Sequence, residues 1–213
     1  MINLLLILSL TLPLPVHSMS PDWNPGVLVT NKQEVINGFL LYDPKFELVQ
    51  LKVDGKIQTL SPDRVHSFRF YDQQQELHRR FIAINNEALA PNHQTAFYEL
   101  IFSGEYSLLR KHNNITTPNP PIERNMTYEF SKEKLMYEQV IGFSYYIEHH
   151  HQFFPLQDFR KKLWPLIQPE ESMQSYISEE KLSLHKKGDQ VKMLIHYNQL
   201  LKVKDSKISR TTQ

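Results

Sequence analysis

The chain has 213 residues, 40% of them hydrophobic, with 12 Phe and 10 Tyr, a composition that can fill a core and excludes a chain without fixed structure. Cysteine is absent, which excludes a disulfide framework, a thiolate metal site, a thiol nucleophile and a lipidated cysteine. Net charge is +1 but uneven: residues 181–213 hold eight Lys or Arg against two Asp, so the rest is net acidic and the basic end reads as a solvated terminus.

Residues 1–18 carry an apolar run over 4–12, then Pro13 and Pro15, then Val16 and Ser18 at the spacing of a leader cleavage site. The run is shorter than the roughly 20 residues a spanning helix needs, and the prolines interrupt it. No Lys or Arg precedes it, so the positive end of the leader rests on the terminal amine. These features predict a signal peptide cut near Ser18 and a mature protein in the periplasm or secreted, not transmembrane once the leader is gone. Export without cysteine fits a bacterial envelope more easily than a eukaryotic extracellular space.

Residues 19–112 read as a β-rich domain, because short apolar runs alternate with turn residues. Strands are expected at 27–30, 35–42, 46–53, 56–60, 64–71, 77–84, 96–102 and 105–110. Asp54-Gly55 marks a tight hairpin, since both residues tolerate positive φ. His66, Phe68 and Phe70 alternate with Ser67, Arg69 and Tyr71, as a half-buried strand requires. The 96–102 run is apolar on both faces except for Glu99, which predicts a central strand.

Proline and asparagine over 113–125 predict an exposed loop and a soft boundary. Residues 126–154 read as further strands packing on the β domain, at 126–130 and 134–148. A helix competes over 134–148, but Phe143, Tyr145 and Ile147 fall on one face and Tyr146 on the other. Residues 155–213 turn helical. Phe159, Leu163 and Leu166 or Ile167 repeat at helical spacing behind Asp158, placed as an N-cap, and Pro165 must end or kink this helix. Met173, Tyr176 and Ile177 form a second stripe behind Pro169-Glu170-Glu171. Asp189 begins the strongest helix, whose apolar positions Val191, Leu194, Ile195 and Leu201 are widened by Met193, Tyr197 and Leu200. The expected fold is mainly β, an antiparallel meander, sandwich or small barrel, with a C-terminal helical segment: α+β overall.

No catalytic motif stands out. Gly-x-Ser-x-Gly, glycine-rich phosphate loops, His-Glu-x-x-His and EF-hand patterns are missing, so no catalytic residue and no cofactor is implied. The local feature that invites chemistry is His149-His150-His151 after Glu148. On a strand His149 and His151 share a face, and Glu148 could complete a shell for a transition metal. A polar turn at a strand end explains the same residues more simply. Asn114-Ile115-Thr116 and Asn125-Met126-Thr127 match the glycosylation sequon and read as loop residues. Phe143, Tyr145, Tyr146, Phe153 and Phe154 read as core aromatics before a ligand surface. A net-acidic β portion on an exported chain excludes nucleic acid as a partner.

From Val35-Ile36-Asn37-Gly38-Phe39 through Asp54-Gly55 to Leu60-Ser61-Pro62-Asp63-Arg64-Val65, the chain resembles the PRC-type small β-barrel. Strand, glycine, strand, hairpin and proline turn follow in that order over residues 35–65. That resemblance implies a scaffold and no activity. The whole layout is similar to uncharacterised exported bacterial β-rich proteins, through the leader, Phe-Tyr-Glu-Leu at 97–100, Gly-Glu-Tyr-Ser-Leu-Leu at 104–109 and Tyr-Asn-Gln-Leu at 197–200. It implies no particular chemistry. The sequence is therefore read as a non-catalytic exported envelope or secreted protein with a binding or structural role toward an envelope protein or polymer. A hydrolase or small-ligand carrier, with a site assembled from distant residues, is the alternative.

Overall fold

A computed structural model of the protein describes residues 23–73, 75–85, 95–112 and 143–211. The leader at 1–18, the loop at 113–125, both sequons, the strand expected at 126–130 and residues 134–142 of the segment expected at 134–148 lie outside the described residues.

Among the described residues ten strands form one antiparallel sheet: β1 (Asn24–Thr30), β2 (Val35–Asp43), β3 (Leu48–Val53), β4 (Lys56–Leu60), β5 (Val65–Asp72), β6 (Leu77–Ile84), β7 (Ala96–Phe102), β8 (Ser107–His112), β9 (Phe143–His149) and β10 (Gln152–Pro155). Their order across the sheet is β10-β9-β8-β7-β6-β5-β1-β2-β3-β4. Sequence neighbours are spatial neighbours except between β4 and β5. There a single 3-10 turn, Pro62–Arg64, carries the chain from the sheet edge back to the far side of β1. Proline suits that turn because its fixed φ is already helical and it has no N–H to satisfy.

Local chemistry explains the hairpins. Asp54 and Gly55 have φ of 48° and 77°, the left-handed pair that twists two flanking strands correctly, and Val53 pairs with Lys56 around them. In the β2–β3 turn the Asp43 carboxylate accepts from the amides of Lys45 and Phe46, which closes the turn without a ladder bond. Phe68 and Phe70 are buried on β5 as alternation requires, yet His66 is exposed and Val65 buried. A register shift opposite Val29 and Thr30 accounts for this, since an extra residue in one strand reverses which side chains face inward.

The sheet coils tightly enough for its two halves to share a core. Leu28, Leu40, Val49, Leu51 and Leu60 from β1–β4 pack with Phe68, Phe70, Phe81 and Phe97 from β5–β7. Tyr42 on β2 reaches over to Phe68, Phe81 and Phe97, with ring centroids 4.7 to 5.8 Å apart. Gly26 and Gly38 face one another across β1 and β2, where a Cβ on Gly26 would stand 2.5 Å from the Arg69 carbonyl oxygen. The coiling is possible because neither position carries a side chain. Glu47, at the end of the β2–β3 turn, accepts a 2.9 Å hydrogen bond from the Phe97 amide and pairs with Lys111 at 3.5 Å. It ties the hairpin to β7 and β8.

After β10 a 3-10 turn (Leu156–Asp158) leads into α1 (Phe159–Lys162), α2 (Trp164–Ile167), α3 (Glu171–Glu179) and α4 (Lys187–Thr211). Pro165 divides α1 from α2, because it has no amide to donate and its ring displaces the preceding turn. Asp158 precedes α1 but makes no side-chain cap: the 3-10 turn holds it at φ −84°, ψ 3°, whereas a capping residue needs extended backbone. Helix α4 starts at Lys187, two residues ahead of Asp189, whose carboxylate instead accepts from the Ser183 amide at 2.9 Å.

The helices cover one face of β8–β10, where Leu108, Ile147 and Phe154 meet Phe159, Leu163, Ile167, Met173, Val191, Met193 and Leu194. Tyr146 and Phe153 pack against Tyr98 and Leu109 in a separate cluster and Tyr145 and Phe154 against the helices, while Phe143 is half-buried outside both cores; the described part of the 134–148 segment, from Phe143, is a strand. The fold is thus mainly β with a C-terminal helical segment, α+β overall. Among the described residues no helix is long and apolar enough to cross a membrane.

Candidate functional site

Register brings two short segments together at one end of the sheet. Ser107 on β8 pairs with Glu148 on β9, so the 103–106 loop before β8 lies beside the β9–β10 turn. That turn consists of His150 and His151, because His149 already pairs with Gln152. Both turn residues have positive φ, 48° and 62°, a left-handed pair that ordinarily favours Asn-Gly. The Glu148 carboxylate accepts from the His151 amide at 2.9 Å and secures the turn.

Glu105 faces the histidines from the 103–106 loop. Its Oε1 lies 3.1 Å from Nε2 of His149 and 3.1 Å from Nε2 of His150. His149 is half-buried, its ring stacked on Tyr106 at 4.1 Å and 12°, while His150 and Glu105 are open to solvent. The loop is fixed from below by α4. Asn198, buried, accepts from the Tyr106 amide and donates to the Tyr106 and Leu194 carbonyls, all at 2.9 Å. Gly104 packs so closely on the Asn198 amide group that no Cβ fits between them. Burial, with Tyr197 and Glu105 nearby, pushes the Tyr106 phenol above its ordinary range.

Of the residues singled out in the sequence, the structure brings His149 into this cluster, leaves His151 in the turn, and keeps Glu148 on β9, where its carboxylate is engaged by the His151 amide. A strand through all three histidines would put His149 and His151 on one face, but the strand ends at His149. The reversal then carries His150 to the same carboxylate. Glu105 is 44 residues from His149, a separation at which spacing carries no signal, and only the β8–β9 pairing joins them.

A second charged constellation lies inside the sheet. Glu99 takes a bidentate pair from Arg79, Nε to Oε1 and Nη2 to Oε2 each at 2.9 Å, and a third bond from Arg110 Nε at 2.7 Å. Arg79 also meets Asp72 at 3.4 Å. The guanidiniums sit over aromatic faces, Arg79 over Phe81 at 5.0 Å and Arg110 over Phe143 at 4.4 Å. Burial alone would raise the Glu99 carboxyl, but Arg79 and Arg110 overcome it and hold it below the usual carboxylate range. A carboxylate kept ionised by two cations is poorly suited to donate a proton, so this network reads as a structural clamp.

The outer face of β2–β4 differs in kind. Phe39, Lys52 and Ile57 stand side by side across three strands, and Val35 lies on the same face of β2. Val35, Phe39 and Ile57 are each more than half exposed, at 64, 52 and 57%. Among the described residues strand β4 ends the sheet, with four of its five residues exposed. No family model, curated protein or solved structure matches the chain.

Proposed function

We propose that the protein is a non-catalytic exported protein of the envelope or secreted medium, whose sheet binds a partner protein through the outer face and free edge of β2–β4. The observation that carries this reading is the exposure of Val35, Phe39 and Ile57, together with Lys52 on one face of the strands that end the described sheet. Large apolar side chains on the outside of a sheet do nothing for its core, and an edge strand offers backbone groups for strand addition. The leader pattern supports export, and the PRC-like succession over residues 35–65 supports a scaffold role for the same strands. Glu99, the buried carboxylate, is committed to Arg79 and Arg110 and so is set aside as a catalytic acid.

Two measurements on the full chain in its own cell test the proposal. Fractionation with N-terminal sequencing is expected to find the protein outside the cytosol, beginning just after Ser18. Photo-crosslinking residues placed at Phe39 and Ile57 are expected to capture one partner that a probe at Val203, exposed on α4, does not capture. Ile57→Ser beneath a probe at Phe39, and Phe39→Ser beneath a probe at Ile57, are each expected to abolish that capture. Recovery in the cytosol with Met1 intact, or equal capture from Val203, overturns the proposal.

A further inference from the structure

We infer that Glu105, His149 and His150 form a binding site for a divalent late transition-metal ion, of the zinc or copper(II) class. The ligand atoms of the three residues all lie within 4.8 Å of one another, and the two imidazole nitrogens are each 3.1 Å from the same carboxylate oxygen. With metal bonds of about 2.0–2.2 Å to imidazole nitrogen and carboxylate oxygen, ligands around one tetrahedral ion stand about 3.3 Å apart. The two carboxylate–imidazole spacings of 3.1 Å lie close to that value, and His150 is exposed, so its ring can turn to complete the geometry.

The donor set selects the metal. Two imidazoles and a carboxylate without sulfur suit zinc, nickel and copper(II) better than calcium or magnesium, which take oxygen shells. Among these ions copper(II) binds most tightly to such a set. Three protein ligands on an exposed turn leave the solvent side of the ion open to water or to a donor from another molecule.

The surroundings favour a prepared site over a chance meeting of side chains. His149 is oriented by its stack on Tyr106, and Tyr106 is clamped by Asn198 on both its amide and its carbonyl. Glu105, next in the chain, inherits that rigidity. His150 and His151 hold left-handed backbone that Gly or Asn would occupy at lower cost, and His150 turns that geometry to use by aiming its ring at Glu105. The site lies on β8–β10, while the proposed partner surface lies on β2–β4, so each stands or falls separately.

The test is titration of the tag-free full chain with Zn²⁺ and with Cu²⁺ by calorimetry, and with Co²⁺ by visible absorption. One ion per chain is expected, with copper(II) tighter than zinc and a Co²⁺ spectrum of low coordination number. His149→Ala, His150→Asn and Glu105→Gln are each expected to weaken binding at least tenfold, on the order of what disturbing a metal shell costs, while His151→Ala leaves it unchanged. His150→Asn keeps a residue that tolerates positive φ, and Glu105→Gln acts from a different segment, so a loss in both is not a folding defect. Absence of one-to-one binding overturns the inference. So does a site weakened by His151→Ala but indifferent to Glu105→Gln, which would mark adventitious binding to three consecutive histidines.

Discussion

Arg79 and Glu99 meet across β6 and β7 in a two-pronged ion pair, both bonds 2.9 Å, and a third bond from Arg110 closes on the same carboxylate. The three groups sit where the core of β1–β7 gives way to the core beneath the helices. Two cations around one anion, with 6% of the Glu99 and Arg110 side chains exposed, form a unit in which removing the centre costs more than removing an arm.

Glu99→Gln is therefore expected to destabilise the protein by about 3–5 kcal/mol, the cost of leaving buried guanidiniums without their counter-charge. Arg110→Met, which removes one cation but keeps the Arg79 pair, is expected to cost less. Urea unfolding of the two variants beside the parent gives the order; the opposite order would show that Arg110 is the true centre.

The same pair sets a dependence on acid. Glu99 has a lower pKa folded than unfolded, so its contribution is complete above the unfolded carboxylate value of about 4.3 and is lost as pH falls through the folded value. The stability gap between parent and Glu99→Gln is expected to be widest near neutrality and to close in acid, because a protonated Glu99 resembles glutamine. Unfolding midpoints across that range decide it.

Gly104 and Asn198 are expected to be energetically coupled. Asn198→Ala leaves the Tyr106 amide and carbonyl without their buried partner, at about 1–3 kcal/mol. Gly104→Ala pushes the Asn198 side chain off its three bonds and costs a similar amount by displacement. With the amide group already absent the new methyl meets only the Cβ of residue 198, 3.3 Å away, so the double variant is expected to cost clearly less than the two single losses added. Additive losses in a double-mutant cycle would refute the clamp.

Gly26→Ala is expected to destabilise by about 1–3 kcal/mol, the usual cost of forcing atoms into a filled space. Its Cβ would meet backbone at Arg69, which cannot swing aside as a side chain can. Gly55→Asn is the contrast: nothing lies within 4 Å of a Cβ there and asparagine tolerates the positive φ, so thermal denaturation is expected to show little change.

His151→Gly is expected to stabilise the protein by up to about 1 kcal/mol, since left-handed backbone costs a side-chain-bearing residue about 1–2 kcal/mol and glycine almost nothing. Differential scanning calorimetry reads the gain. No gain would mean that His151 makes compensating contacts in the turn.

Most of the sheet was legible residue by residue. The strands at 56–60, 77–84 and 96–102 fall where alternation and turn residues place them, and Glu99 stands out as the one charge in a central strand. Alternation, however, cannot see a bulge, so His66 reads as inward when the shift opposite β1 turns it out and Val65 in. Asp158 looks like a helix cap for its residue type alone, but the backbone entering the helix denies it the geometry, and the helix expected to begin at Asp189 starts two residues earlier, at Lys187.

Side-chain periodicity and turn chemistry are properties of neighbours in the chain, which is why the β-rich body, the Asp54-Gly55 hairpin and the helical end are written locally. Partnership between strands is not local. That β5 lies against β1, that Arg79 and Arg110 converge on Glu99, and that Glu105 faces His149 and His150 across 44 residues follow from register and sheet coiling. Those are chosen by the burial of whole faces at once, and only the folded sheet reveals which charges it has brought together.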